Sequence, residues 1–467
     1  MSLNAHSKAP FAYDIPHDIH KADYLIDMAL EQRRRLFERL PQNSAVLVSS
    51  GHEQIRNRDV EFPFRADSDF QYLTGFGEPD CVLLLVKKET AESVLFLRPR
   101  DAEQETWQGR RLGVEMASPI LKVDTAYAID EMQETVGDYL QNIDSLYFSF
   151  AQMQTWMEPV AEWLGALKAQ VRKGVAAPTK LCDLDEVMHE MRLFKSPQEI
   201  ALMREAARIS VQGHLAAMRH AADGRYEYQV QAELEAEFMR QGAQKVAFNS
   251  IVASGDNACI LHYTESSDLM GEHQLLLVDA GAEFKGYAGD ITNTFPVGGR
   301  FSEAQLQLYT LVLKAQQAAV AMVAPGVPYD QLHEKVADIL TRGLIKLGIL
   351  QGKPAQLIKS QAYKRFFMHG TGHWLGMDVH DVGQYKINGQ WRELQPGMVV
   401  TIEPGLYIPA EAEDVDPQWW GIGIRIEDDV LVTETGHEVL TQGLPRSVKE
   451  IEAWMQENNV YLQKTDS

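Results

Sequence analysis

The chain of 467 residues is 45% hydrophobic and 24% charged, and its 66 acidic against 44 basic side chains leave a net charge of −22. That length and composition fit a globular protein of two or three domains, and the acidic surplus argues against nucleic acid or an anionic membrane as a partner, because both would be repelled. Only Cys81, Cys182 and Cys259 occur, scattered and without a CxxC pair, so neither a zinc–thiolate site nor a disulfide frame is indicated and a reducing cytoplasm fits.

The first stretch, MSLNAHSKAPFAYDIPHD, has no long apolar core and does not read as a signal peptide. Residues 21–40 set Leu25, Met28, Leu30, Leu36 and Leu40 among charges. That spacing predicts a helix, with Arg33, Arg34 and Arg35 expected on a solvated face. Short apolar runs at 45–48, 81–86 and 93–97, separated by turn-rich segments and followed by helical stretches, predict an α/β unit with Cys81 in its core. The domains are expected to change near 175–195, giving an amino-terminal domain over 1–180 and a second over 181–467. Ser196 can accept a free N–H at a helix start, Pro197 suits the first helical position, and Glu199 can reach back to complete a capping box. An amphipathic helix should therefore run over 200–218. Glycine-rich turns and short strands dominate after about 245, apart from a helical stretch over 301–350 broken at Pro325-Gly326-Val327-Pro328. No apolar run approaches the length that spans a bilayer.

Two later segments carry acids at the ends of apolar strands. In LLLVDAGAEFKGYAGDITNTF the run 275–278 ends at Asp279, Lys285-Gly286 signals a turn, and Asp290 lies in the returning run. A hairpin would bring the two carboxylates together. Either each caps a turn in water, or a cation lies between them and cancels their repulsion. The second case pairs MVVTIEPGLY with GIGIRIEDDVLV. Glu403 follows a core strand, while Ile422, Ile424 and Ile426 alternate with Gly423, Arg425 and Glu427. Period two then puts the isoleucines on one face and Arg425 with Glu427 on the other, again pairing two acids. The halves share one plan, strand, acid, turn, strand, acid, as an old duplication facing itself across a cleft would.

Between the halves lies MHGTGHWLGMDVHDVG, with His369, His373 and His380. Four carboxylates with one imidazole make a hard, oxygen-rich donor set that suits Mn²⁺, Co²⁺ or Fe²⁺ more than a structural zinc. With shared carboxylates such a set can hold two ions about 3.5–4 Å apart around a bridging water. The remaining imidazoles could steady charge on an attacked carbonyl. His6, His17, His20, His52, His220, His333 and His437 read as ordinary packed or exposed residues. His333-Glu334 opens HExxH, but residue 337 is Ala and the zinc motif fails.

These blocks, with ILHYTESSDLM, resemble the proline-specific metallopeptidases of the pita-bread fold, nearest the Xaa-Pro aminopeptidases (aminopeptidase P). FPFRADSDFQYLTGFGEPD and ETWQGRRLG are similar to that family's amino-terminal domain. The resemblance implies an α/β (α+β) chain: a creatinase-like α/β domain, then a pita-bread domain with pseudo-twofold halves. It implies two divalent ions, usually Mn²⁺, on Asp279, Asp290, His373, Glu403 and Glu427, with Asp290 and Glu427 shared, and a bridging hydroxide that attacks the Xaa-Pro bond. Glu403 is the implied proton relay, His369 and His380 flank the reacting carbonyl, and His262 contacts the proline side. Arg425 and Tyr407 support substrate and relay. Trp107 is implied to reach a neighbouring subunit's cleft, which makes a homodimer or homotetramer; a partly buried aromatic is the alternative. The expected substrates are peptides with proline second, and the expected location is cytoplasmic.

Prolidase, which cuts only Xaa-Pro dipeptides, shares the five ligands and stays open, with side activity on organophosphate esters possible for such sites. A dipeptidase needs a block or a positive group to meet the substrate's terminal carboxylate. Methionine aminopeptidases normally lack so large a first domain, and creatinase or a metal-free binding module of this fold would not need all five ligands.

Overall fold

Apolar strand runs alternating with amphipathic helices dictate the start of the chain. The computed structural model describes residues 17–21 and 23–462, so His6 and most of the amino-terminal stretch lie outside the described residues, as does the side chain of His17. The chain divides into two compact units, His17–Met191 and a second beginning at Arg192.

In the first unit α1 (Tyr24–Arg39) buries Ile26, Met28, Ala29 and Leu36. Arg34 lies on the expected solvated face, paired with Glu31 and Glu38. Arg33 does not: it is only 1% exposed. Its guanidinium donates to the carbonyls of Leu73 at 2.7 Å and Lys122 at 2.7 Å. Both carbonyls stand at the carboxyl ends of short helices, Ser68–Thr74 and Val114–Leu121, where the last turn lacks backbone donors and needs a buried one; the helical spacing of residues 21–40 could not reveal that demand. A six-stranded sheet follows, built from β1 (Ser44–Ser49), β2 (Val82–Lys87), β3 (Ala91–Leu97), β4 (Thr125–Ala128), β5 (Ser145–Phe148) and β6 (Lys180–Asp183) in the order β4-β3-β2-β1-β5-β6. β1, β2 and β3 pair antiparallel, whereas β4, β5 and β6 join in parallel. β1 is buried along its whole length, and β2 and β3 nearly so, which is why they read as continuous apolar runs. Leu47, Leu84, Phe96 and Phe148 pack with Trp156 and Trp163 in the core. Helix α2 (Ala102–Gln108) buries none of its residues, and Trp107 on it is 84% exposed. The partly buried alternative for Trp107 is thereby overturned.

The second unit opens with α3 (Pro197–His220), started by the expected capping box: Ser196 Oγ accepts from Glu199 N, and Glu199 Oε2 accepts from Ser196 N at 2.9 Å. Such a cap is worth about 1 kcal/mol. α4 (Glu227–Arg240) packs against it. Next come β7 (Ile251–Ser254), β8 (Leu275–Asp279), a short ribbon of β9 (Ala282–Phe284) and β10 (Tyr287–Ala288), and β11 (Thr292–Pro296). β8 is the middle strand of the antiparallel sheet β7-β8-β11. Lys285 and Gly286 turn the ribbon with φ of 49° and 86°. Helices α5 (Glu303–Val320) and α6 (Tyr329–Lys346) flank the break at 325–328.

The last part repeats the first in outline. β12 (Val399–Ile402), β13 (Gly405–Ile408), β14 (Ile422–Arg425), β15 (Asp428–Val432) and β16 (His437–Val439) form the sheet β12-β15-β16 and the pair β13-β14. Each half thus contributes a three-stranded antiparallel sheet. The alternation over 422–427 is present, but its polar face is no surface: Arg425 and Glu427 are as buried as the isoleucines. No described helix is long and apolar enough to cross a membrane.

Candidate active site

Strand pairing brings the acids together. Asp279 closes β8 opposite Thr292, and Asp290 stands two positions before Thr292. In the other half Ile402 pairs with Asp428, so Glu403 and Glu427 meet at the joint where the ladder changes from β12-β15 to β13-β14. The glycine-laced segment of His369 to His373 lies along β12: Thr401 N donates to His373 O at 2.9 Å, and His373 N donates to Thr401 Oγ1 at 3.0 Å. Gly372 permits this approach, since a Cβ there would stand 1.8 Å from Thr401 O. Asp279, Asp290, His373, Glu403 and Glu427 all line one cavity of about 640 Å³, together with His262, His369, His380 and Arg425.

Hydrogen bonds fix the side chains. His373 Nδ1 lies 2.9 Å from Trp374 O. A carbonyl only accepts, so Nδ1 carries the proton and Nε2 turns a lone pair inward. That lone pair faces Asp290 Oδ2 at 3.5 Å and Glu403 Oε1 at 3.5 Å. His369 is held the same way: Nδ1 donates to Gly370 O at 2.7 Å, leaving Nε2 to accept from Tyr407 OH at 2.8 Å. Burial pushes His369 down to about 3 with help from Arg425, which keeps it neutral. His380 is also lowered by burial, then by His373 and His262, and its ring meets that of His373 edge-on at 4.3 Å. Arg425 donates to Thr292 Oγ1 at 3.0 Å, Tyr407 OH at 2.9 Å and Asp279 Oδ2 at 2.6 Å. Thr292 in turn donates to Glu427 Oε2 at 2.6 Å.

The donor set fits divalent cations. Asp290, His373 and Glu427 each offer a ligand atom within 4.8 Å of the others. Asp279 Oδ1 is buried without a hydrogen-bond partner. Burial raises the Asp290 carboxyl well above the usual range, and Asp279, Asp429 and Glu403 raise it further. Glu427 is raised well above its range by burial, then by Asp290, Glu403 and Asp279. Glu403 is raised by burial too, against His373 and Arg425. Among the described residues lining the cavity, Arg425 is the single Lys or Arg and cannot balance four carboxylates. A lone pair, an unpartnered oxygen and clustered carboxylates aimed at one point are what divalent ions with oxygen and nitrogen ligands require.

Several supporting residues escaped the sequence reading. Thr292 shares a strand face with Asp290, a period-two signal that was available. Asp429 accepts from Asp290 N at 3.1 Å, and the acidic run EDD inside an apolar strand could have marked it. Arg446 donates to the carbonyls of Thr292 and Glu427. His214 donates to Ala280 O at 2.9 Å beside Asp279, with burial pushing it down to about 4. Nothing local distinguishes those two. His333 is the packed residue the sequence suggests: it pairs with Thr371 Oγ1 at 3.0 Å and Tyr363 OH at 3.2 Å and stacks on Phe367, whose ring meets His369. Among the other isolated histidines, His52 is exposed and paired with Asp80.

Two family models match: metallopeptidase family M24 over residues 201–434 and the aminopeptidase P N-terminal domain over residues 30–147. The Xaa-Pro aminopeptidase of Haemophilus influenzae is 46% identical over 426 residues, 91% of this chain and 96% of that one. Zinc-substituted aminopeptidase P of Escherichia coli, solved in complex with product, superimposes with a TM-score of 0.90 at 44% identity, covering 93% of this chain and 99% of that one. An aminopeptidase from Pseudomonas aeruginosa gives a TM-score of 0.91 at 43% identity, covering 93% and 98%. With the inward-facing acids, the neutral histidines and a match that spans both units, the chain belongs to metallopeptidase family M24 and carries the aminopeptidase P N-terminal domain ahead of its pita-bread domain.

Proposed function

We propose that this chain is an Xaa-Pro aminopeptidase, releasing the first residue from peptides with proline second. The carrying observation is the convergence of Asp279, Asp290, His373, Glu403 and Glu427 on one cavity with the His373 lone pair turned inward. These five would hold two divalent ions, with Mn²⁺ favoured by the oxygen-rich set. When bound, the ions acidify a water and polarise the scissile carbonyl. The unit beginning at Arg192 is the catalytic domain in this reading and His17–Met191 the amino-terminal domain, a boundary about ten residues beyond the expected 180 because β6 completes the first sheet.

The bond before proline is a tertiary amide without N–H, and its nitrogen leaves only once protonated. Glu403 takes a proton from the attacking water and delivers it to that nitrogen. His380 and His369, both held neutral, stand beside the carbonyl and offer hydrogen bonds to it without adding charge. His262 meets the proline side. Arg425 fixes Asp279 on one side and Tyr407 on the other, and Tyr407 in turn orients His369. Trp107, on the amino-terminal unit, completes a neighbouring subunit's cleft in a homodimer or homotetramer of a cytoplasmic enzyme.

Prolidase is the competing reading. Among the described residues lining the cavity, Arg425 is the sole Lys or Arg, and it is engaged by Asp279 and Tyr407. No free cation of the lining waits for a dipeptide's carboxylate, which favours longer peptides. The test is hydrolysis by Mn²⁺-loaded protein of an Xaa-Pro dipeptide, the same sequence extended beyond proline, and an Xaa-Ala peptide. Cleavage of the extended proline peptide alone, lost in Glu403→Ala, is expected. Preference for the dipeptide would make the protein a prolidase, and cleavage of the alanine peptide would remove proline specificity.

A further inference from the structure

Glu227 opens α4 and is completely buried. Its carboxylate accepts five hydrogen bonds. Oε1 receives Ser254 N at 2.7 Å, Ser254 Oγ at 2.8 Å and Asn257 Nδ2 at 3.2 Å. Oε2 receives Tyr263 OH at 2.8 Å and Asp268 N at 3.0 Å. All five donors are neutral, and they come from both ends and the middle of one segment, residues 254–268. The partial positive end of α4 favours the charge at this place. Five donors on an ionised acceptor form a strong, directional knot.

That segment has almost no regular structure of its own, although Ala258 and Tyr263 pack in a small core cluster with Ile251 and Leu277. It leaves β7 through a 3₁₀ turn, Gly255–Cys259, and forms no strand before Asp268. Yet Leu261, His262 and Thr264 line the active-site cavity. Tyr263 lies between the last two and is turned the opposite way, 6% exposed, with its hydroxyl on Glu227. Tyr263 is bonded through the chain to His262 on one side and Thr264 on the other, so anchoring its hydroxyl restricts where those two neighbours can point.

We propose that Glu227 is a positioning residue for peptide binding: its buried carboxylate clamps the segment 254–268 and thereby aims His262 and Thr264 at the proline side of the substrate. This rests on the aminopeptidase reading for the identity of the substrate, but the clamp itself does not. In Glu227→Gln the hydroxyls of Ser254 and Tyr263 can turn to accept, but the amide NH₂ must still face a backbone N–H that can only donate, Asp268 N on one side or Ser254 N on the other, so part of the knot opens.

The experiment compares metal-loaded wild type, Glu227→Gln, His262→Ala and the double variant in two arms. Kinetics on an extended Xaa-Pro peptide should show KM raised about tenfold in Glu227→Gln with kcat changed far less, the signature of misplaced binding groups. The double variant should be no worse than His262→Ala alone, since the clamp acts through that residue. Hydrogen exchange, read without substrate, should accelerate over 254–268 in Glu227→Gln while the segments bearing the metal-binding candidates stay protected. Unchanged exchange, unchanged KM, or effects that multiply in the double variant would overturn the proposal. A wild type that exchanges as expected but cleaves no proline peptide would fail the aminopeptidase reading alone, and faster exchange in Glu227→Gln would still support the clamp. If Glu227→Gln does not fold, Tyr263→Phe removes one donor only; a KM increase of about threefold supports the clamp, and no change refutes it.

Discussion

Arg425 Nη2 lies 2.6 Å from Asp279 Oδ2, and both side chains are buried. The same guanidinium holds Tyr407 and Thr292, and these hold His369 and Glu427. One side chain therefore links an acid of the first half to an acid of the second and to a histidine between them. Asp279, Asp290 and Glu403 act on one another as like charges, and Arg425 is the fixed positive charge among them.

Arg425→Lys keeps a charge but loses the fork that reaches three partners at once. Hydrogen bonds to charged groups are worth about 1.5–3 kcal/mol, so kcat/KM should fall roughly 10- to 100-fold, while circular dichroism shows a folded protein. Steady-state kinetics on an Xaa-Pro peptide check this, and full activity would mean that the fork is not needed.

Gly372→Ala places a methyl group 1.8 Å from Thr401 O. The segment carrying His369 and His373 must then move off β12. Overpacking of this kind costs roughly 1–3 kcal/mol, so thermal unfolding should shift downward and activity should fall more steeply than stability. An unchanged melting temperature with normal turnover would contradict the close packing of this segment.

Asp381 lies in a buried cluster, 2.7 Å from Arg192 and 2.9 Å from Lys195. Burial works to raise its carboxyl, but Lys195 and Arg192 outweigh burial and hold it below the usual value. A depressed folded pKa means stabilisation that is complete above the unfolded value, about 3.9, and lost as pH falls through the folded value. Asp381→Asn removes the carboxylate facing buried Lys195, while Arg192 keeps Asp378 at 2.6 Å, and should cost about 3–5 kcal/mol at neutral pH. Denaturant titrations of both proteins should show that gap closing below about pH 4; a constant gap would contradict the assignment.

Trp107→Ala removes a ring that is 84% exposed, so stability should stay within about 0.5 kcal/mol of wild type. If the ring serves a neighbouring cleft, kcat/KM should still drop about tenfold, and sedimentation should report a dimer or tetramer. Unaltered kinetics would confine Trp107 to a passive surface role.

The two acid pairs were legible because strand length, turn residues and period two are local signals. Asp279 and Glu403 stand where apolar runs stop, and Lys285-Gly286 marks the turn between Asp279 and Asp290. The capping box at Ser196 and Glu199 is equally local. What stayed hidden depends on partners distant in sequence. The bonds from Arg33 to Leu73 and from Arg446 to Thr292 span long separations, and no spacing rule reports them. The isoleucine alternation over 422–427 was read correctly, yet the burial of its polar face follows from the other half packing over it. Family resemblance, not periodicity, singled out His373 among the histidines; its tautomer came from the Trp374 carbonyl.

The most direct test counts metal. Protein stripped by chelation, dialysed against Mn²⁺ and freed of excess should retain two ions per chain by plasma mass spectrometry, with activity returning in step. Asp290→Ala with Glu427→Ala should retain fewer and stay inactive while folded. Turnover of an Xaa-Pro peptide by fully stripped protein, or two ions retained after loss of both carboxylates, would contradict the account.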